Sequence, residues 1–394
     1  MKKALAVSLI LSLLIMVFAG CSTPGGKSDN VIKIGVYEPA SGDNGAGGKQ
    51  ETLGIEFANK VVDTIELDGK TYKIELEIVD NESSNDKGPS AAATLVSKKV
   101  SVVIGSYGSS VSIAASDVFK QAGIPVIGAS CTNPQVTLGN THYFRICYLD
   151  PFQGTVLANF AVDKFGAKKA YILTKLGDDY SVGLGNYFKE AFTKLGGSVV
   201  EESFAEGNSD FIAYLTTAVN NDVDVIFAPT STEAASLIIS QAISQGIDIP
   251  LLAGDTWDSS VILDAAKGSQ QEIFVSTFFD EGDDSALGSK FVTDFKAWLN
   301  ANPDKLNNNG GNDIVAAVSA LGYDAYMTAL EAIKAAGSPD PKKINEALWN
   351  VKYTGVTGDI AFDENGDAIR NVAFIKQANT ADATWKFEAI QSVK

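Results

Sequence analysis

The sequence predicts an α/β protein built as two doubly wound parallel-sheet lobes. Three observations lead there. Short β-branched strands alternate with amphipathic helices from residue 31 onward, the alternation starts afresh after Asp150, and 394 residues are too many for one ordinary core. Strands that succeed one another through a helix lie parallel, and parallel sheets need helices over both faces.

The elements follow in order. "VIKIGVY" is a β-branched strand, and in "GGKQETLGIEFANKVVD" the residues Leu53, Phe57 and Val61 stand four apart on one helical face. "YKIELEIVD" alternates as a strand does, "GPSAAATLVSKK" is helical after its proline, and "VSVVIG" is a strand. "SSVSIAASDVFKQAG" is a helix stopped by Gly123 and Pro125, and "PVIGA" is the next strand. After Asp150 the same pattern repeats with strands "AYILT", "SVVEESF", "DVDVIFAP" and "IPLLAG", each followed or preceded by a helix. Beyond "QEIFVSTFF" the character changes to helices around residues 286–300, 314–336 and 341–349. The tail "TGDIAFDENGDAIRNVAFIKQ" is expected to form two strands joined by a hairpin turn at Asn365-Gly366. Asp363, Asn365 and Asp367 have a passing likeness to a calcium loop, but the glycine precedes the third acid instead of following it, so a turn is expected.

At the N-terminus, Lys2 and Lys3 precede an apolar run that ends on Ala19-Gly20, the pattern of a secretory signal peptide over residues 1–20. The run is shorter than the roughly 20 residues a membrane-spanning helix needs. Residues 21–30, rich in Gly, Ser, Pro and Asn, read as a flexible tether. Losing residues 1–20 removes two lysines and no acid, so the exported chain is more acidic than the formal −17 of the full sequence. That charge excludes nucleic acid as a partner, since phosphate binding needs clustered Lys and Arg. One histidine, His142, and the absence of paired-cysteine spacings leave too few ligands for a zinc site. Cys131 and Cys147 either pair or stay free, and spacing does not decide between these.

Catalytic and cofactor motifs are absent: no nucleophile elbow, no dinucleotide fingerprint and no phosphate loop occurs. The chain is therefore not expected to be an enzyme or to carry a cofactor. Polar strand ends remain. "VVIGSYGSSVSIAASD" and "IPVIGASCTNPQVT" are two such ends, and in open α/β sheets ligands lie beyond the carboxyl ends of the strands. Ser109 and Ser110 begin a helix, where open amides favour an anion. A cap for that helix is the alternative reading of the same serines.

On these residues the chain resembles the leucine/isoleucine/valine-binding branch of the type I periplasmic binding proteins, the substrate-binding lipoproteins of ABC transporters. The likeness rests on seven stretches in order: "IKIGVYEPASG", "GIEFAN", "AGIPVIGASCTNPQVT", "YFRICYLDPFQG", "LAGDTWDS", "YDAYMTALEAI" and "GVTGDIAFDENGD". Phe18-Ala19-Gly20-Cys21 is similar to a lipobox, which implies a lipid on Cys21 and a membrane-anchored location on the extracytoplasmic side. The resemblance implies lobe I over residues 31–149 and 278–352 and lobe II over residues 150–277 and 353–394, joined by three crossovers, with an amino acid trapped by hinge closure. It implies that Ser109, helped by amides near Ser110, binds the ligand carboxylate. Ser130 would offer its carbonyl to the ammonium, with Thr132 reaching either group and Cys131 between them. Tyr180 would close over the ligand, and Asp255 would pair with the ammonium. Ser231, in the Thr230 to Thr232 stretch, stands where relatives often carry tyrosine, and Gly47 where many have an aromatic, so a roomier or more polar side-chain end is expected. The implied partner is an ABC permease that receives a branched-chain or related amino acid. A sensor domain of the same fold, for an amide, carboxylate or aromatic acid, is the alternative.

Overall fold

The computed structural model describes residues 30–392. The expected leader, nearly all of the expected tether and Cys21, the expected lipidation residue, fall outside that range.

Fifteen strands are formed among the described residues. β1 (Val31–Glu38), β2 (Thr64–Leu67), β3 (Lys70–Asp80), β4 (Val102–Gly105), β5 (Val126–Gly128) and β6 (Tyr143–Arg145) make one sheet in the order β2-β3-β1-β4-β5-β6. β7 (Lys169–Lys175), β8 (Ser198–Phe204), β9 (Val225–Phe227), β10 (Leu251–Ala253) and β11 (Ile273–Thr277) belong to the second sheet. Next come the small hairpin of β12 (Lys352–Gly355) and β13 (Gly358–Ala361), then β14 (Ala373–Asn379) and β15 (Thr384–Gln391). The second sheet runs β15-β14-β11-β10-β9-β7-β8.

Both sheets are mostly parallel, with antiparallel strands at one edge. β2 pairs antiparallel with β3 through Asp68-Gly69, whose φ values of 49° and 73° suit the tight turn that two right-twisting strands require. β14 and β15 likewise run antiparallel beside β11. The tail departs from the sequence expectation. The two strands flanking Asn365-Gly366 do not pair along their length. β13 turns back on β12, β14 joins the second sheet, and a single antiparallel bridge, Phe362 with Ala368, closes the loop between them.

Alternate residues of each strand serve opposite faces, as the pleat demands. Val102, Ile104 and Ile127 join Leu53, Phe57 and Leu330 on one side of the first sheet, while Val103 and Val126 join Leu95, Val111 and Phe119 on the other. In the second sheet Ile172 and Phe227 face Leu157 and Phe188, and Tyr171 and Ile226 face Leu215 and Ile238. One continuous apolar cluster thus covers a face of both sheets.

The late helices return to the first sheet through a close crossing. Helix Ala317–Ala336 packs on helix Gly45–Val61. A Cβ at Gly54 would strike the carbonyl of Ser319, and one at Gly322 would strike the carbonyl of Glu51. Only hydrogen side chains permit that approach, and the Ser319 hydroxyl uses it to donate to the Gln50 carbonyl at 2.8 Å.

The loop after β5, residues 130–137, is stapled by Arg145 at the end of β6. The buried guanidinium donates to Asp367 at 2.6 Å, to the Cys131 carbonyl at 3.0 Å, to the Thr137 hydroxyl at 3.1 Å and to the Asn133 carbonyl. Asp363 holds the far turn by accepting from the amides of Asn365 and Asp367 at 2.8 and 2.9 Å.

Two outcomes follow in chemical denaturation. Gly322→Ala lowers stability by about 1–3 kcal/mol, because the methyl meets backbone that cannot swing aside. Arg145→Ala costs about 3–5 kcal/mol, since it leaves Asp367 buried without its cation. A loss below about 0.5 kcal/mol for either variant contradicts the packing described.

Candidate ligand-binding site

Neighbouring strands β1, β4 and β5 end at Glu38, Gly105 and Gly128, and neighbouring strands β10, β9 and β7 end at Ala253, Phe227 and Lys175. The loops that leave these ends meet around a cavity of ≈ 230 Å³. Contacts between loops of the two sheets hold them together. The amide of Asp179 donates to Ser110 Oγ at 2.7 Å, Asn133 Nδ2 donates to the Asp179 carbonyl at 2.7 Å, and Lys175 Nζ pairs with Asp43 at 2.6 Å.

One wall is built for an anion. Gly108 is extended (φ −80°, ψ 124°), so helix Ser109–Ala122 opens directly onto the cavity. Its first intrahelical bond runs from the Ser112 amide to the Gly108 carbonyl at 3.0 Å, which leaves the amides of Ser109, Ser110 and Val111 at the open end. Neither serine caps this helix, whose N-cap is Gly108 without a side-chain bond. Ser109 Oγ accepts from the Asn133 amide at 3.2 Å and Ser110 Oγ from the Asp179 amide, so both hydroxyl protons stay available to a ligand.

The opposite wall is acidic. Asp255 follows β10 and is 2 % exposed. Its Oδ1 accepts from Gln153 at 2.9 Å and from Tyr180 Oη at 3.2 Å. Burial raises its pKa to about 6 despite those two bonds. Beneath it, the Ser130 hydroxyl donates to Glu51. The buried carboxyls of Glu38 and Glu51 lie close enough to influence each other's ionisation. Burial and then repulsion from Glu51 push Glu38 well above the usual carboxylate range, and burial lifts Glu51 to about 7. Glu38 also accepts from the Tyr107 amide at 2.6 Å.

Of the residues expected at the site, Ser109, Ser110, Ser130, Tyr180, Ser231 and Asp255 line the cavity. Ser231 also caps helix Thr232–Ser244 by accepting from the Ala234 amide. Cys131 and Thr132 do not line it. The chain bends at Ala129 and Ser130 on leaving β5, so alternation does not carry on from the strand, and the Cys131 and Thr132 side chains are packed in the interior while Ser130 lines the cavity. The Cys131 thiol packs beside Gly128 among Val126, Phe119 and Tyr143, where burial lifts its pKa to about 11. Cys131 and Cys147 are both free thiols, and both are buried. Thr132 is fully buried beside Asp150, whose amide donates to the Thr132 carbonyl at 3.1 Å and whose own carboxyl is raised to about 8 by burial.

Sequence reasoning missed three participants. Tyr107 lies in the quoted stretch "GSYGSS", yet its ring fills the space above Gly47, where a Cβ would collide with it. The expected extra room at Gly47 is therefore absent. Glu51 gave no local signal, because its partner Ser130 is 79 positions away. Asn133, at the end of the second quoted strand end, both holds its turn by accepting from the Gln135 amide and reaches across to Asp179.

The family model described as "Periplasmic binding protein" matches residues 31–382. The chain is 31% identical over 350 residues to Leu/Ile/Val-binding protein homolog 1 of Brucella suis, covering 87% of this chain and 89% of that one. Among solved structures, it is similar to a leucine-binding protein from Thermotoga maritima, with a TM-score of 0.81, 32% identity and coverage of 92% and 99% of the two chains. The branched-chain amino acid substrate-binding protein of Streptococcus pneumoniae, solved with isoleucine, gives a TM-score of 0.79 at 29% identity, with coverage of 92% and 99%. With two strand-end walls of opposite character around one cavity and a family match over nearly the whole described chain, the protein belongs to the periplasmic binding protein family, whose members are non-enzymatic solute binders that act outside the cytoplasm.

Proposed function

We propose that the protein captures an amino acid, branched-chain or related, in this cavity and delivers it to an ABC permease. One observation carries the reading: open amides at the head of helix Ser109–Ala122 and the buried Asp255 face the same cavity. A zwitterion needs donors for its carboxylate and an acid for its ammonium, and desolvating both charges is tolerable only when both are paired. In this reading Ser109 and Ser110 take the carboxylate, Ser130 and Asp255 take the ammonium, and Tyr180 and Ser231 close the wall. Lobe I then comprises residues 31–149 and 278–352 and lobe II residues 150–277 and 353–394, and the contacts of Asp179, Asn133 and Lys175 belong to the closed form. Cys21 would carry the lipid that keeps the protein beside its permease.

Isothermal titration with a panel of amino acids, and with the same acids lacking the α-amine, tests the proposal. Binding of amine-free acids alone overturns it. Asp255→Ala weakens amino-acid binding by about 2–5 kcal/mol, because the ammonium loses its buried partner; a loss under about 0.5 kcal/mol places that partner elsewhere.

The pH dependence has a definite sign. Asp255 must be ionised to pair with the ammonium, and its carboxyl holds a proton below about 6. Affinity therefore falls as pH drops through about 6, approaching tenfold per unit for a single linked proton. Asp255→Asn removes this component. The same fall in Asp255→Asn as in the wild type would assign the dependence to the Glu38 and Glu51 pair instead.

A further inference from the structure

We infer that Tyr107 sets the length of side chain the cavity accepts, and that the ligand is an amino acid with a short side chain, between glycine and threonine in size. This rests on the amino-acid reading above and names its class.

Two tyrosine side chains, Tyr107 and Tyr180, border the space beyond the two charged walls. The Tyr107 ring presses on Gly47 so closely that no Cβ fits there, and the ring is backed by Ala316 and Val318. Its hydroxyl reaches the Thr256 carbonyl at 3.4 Å, so the side chain bridges from the first sheet's loops to the second's. Its own amide is fixed by Glu38, and the residue is only 5% exposed. Tyr107 is therefore a bar across the cavity with little freedom to swing out. On the far side of Thr256, the Tyr180 hydroxyl bonds to Asp255 and Thr256 and closes that direction as well.

The open remainder of the cavity is hydrophilic. Its wall includes Asn44, Ser83, Ser84 and Asp178, and it reaches solvent at Asp86 and Glu206. The Asn44 Oδ1 is buried there without a hydrogen-bond partner. A branched four-carbon side chain gains its transfer energy only by leaving water for apolar surface. Against this wall it would instead strip water from amide and carboxylate groups that it cannot hydrogen-bond. A methyl or hydroxymethyl group needs no such apolar wall and displaces less of the water that polar groups hold.

The test is titration of the wild type, Tyr107→Phe and Tyr107→Ala with alanine, serine, threonine, leucine and isoleucine. In the wild type the short ligands bind at least tenfold more tightly than leucine and isoleucine. Tyr107→Phe keeps the ring and keeps that order, whereas Tyr107→Ala removes the bar and raises leucine or isoleucine affinity relative to alanine by at least tenfold. Leucine or isoleucine binding most tightly to the wild type overturns the inference and leaves the amino-acid reading standing. An unchanged ranking in a folded Tyr107→Ala, checked by circular dichroism, also overturns it. Binding of none of the amino acids sinks the inference and the reading together.

Discussion

Asp255 carries its carboxylate into a wall where its side-chain partners are a glutamine amide and a tyrosine hydroxyl, neither of them cationic. Opposite it, the amides that open helix Ser109–Ala122 have no carboxylate to meet. Two buried, opposite and unneutralised ends cannot satisfy each other directly, because they belong to loops of different sheets with a cavity between. Much of the architecture serves to keep them so. The sheets direct their carboxyl ends to one place, the glycine crossing returns the late helices to the first sheet, and the Arg145 staple stops the Ser130 loop from collapsing inward. A molecule that bears both charges completes the arrangement, which is why closure and binding are a single event in this reading.

The alternation of strands and helices was legible because each element obeys its own period and its own stop signals. Less legible were places where distant residues decide. Asp68-Gly69 is a local hairpin signal, and β2 could have been read from it. The tail was misread because alternation reveals a strand but not its partner: β13 pairs with the strand before it and β14 with β11, across nearly 100 positions of sequence.

The site shows the same division. Helix-start serines are a local feature, so Ser109 and Ser110 were found from the residues themselves, whereas Asp255 came only from the family likeness. Family likeness placed Cys131 and Thr132 beside them, but the chain bends on leaving β5 and packs both side chains into the interior, so that of the three successive residues only Ser130 lines the cavity. Gly47 shows the converse error. A missing side chain was read as empty space, and the space is filled by Tyr107, 60 residues on, which no single-position comparison reveals.

The turn that anchors Arg145 lies at residues 363–367, in the last tenth of the chain, whereas the loop it holds lies at 130–137. A growing polypeptide can therefore assemble both sheets' central strands before the cation at Arg145 has its carboxylate. Until Asp367 emerges, the segment bearing Ser130 has one end of its clamp missing. The capacity to hold a ligand is thus acquired at the close of synthesis and export, and a chain cut short by thirty residues would keep most of its strands and lose its grip.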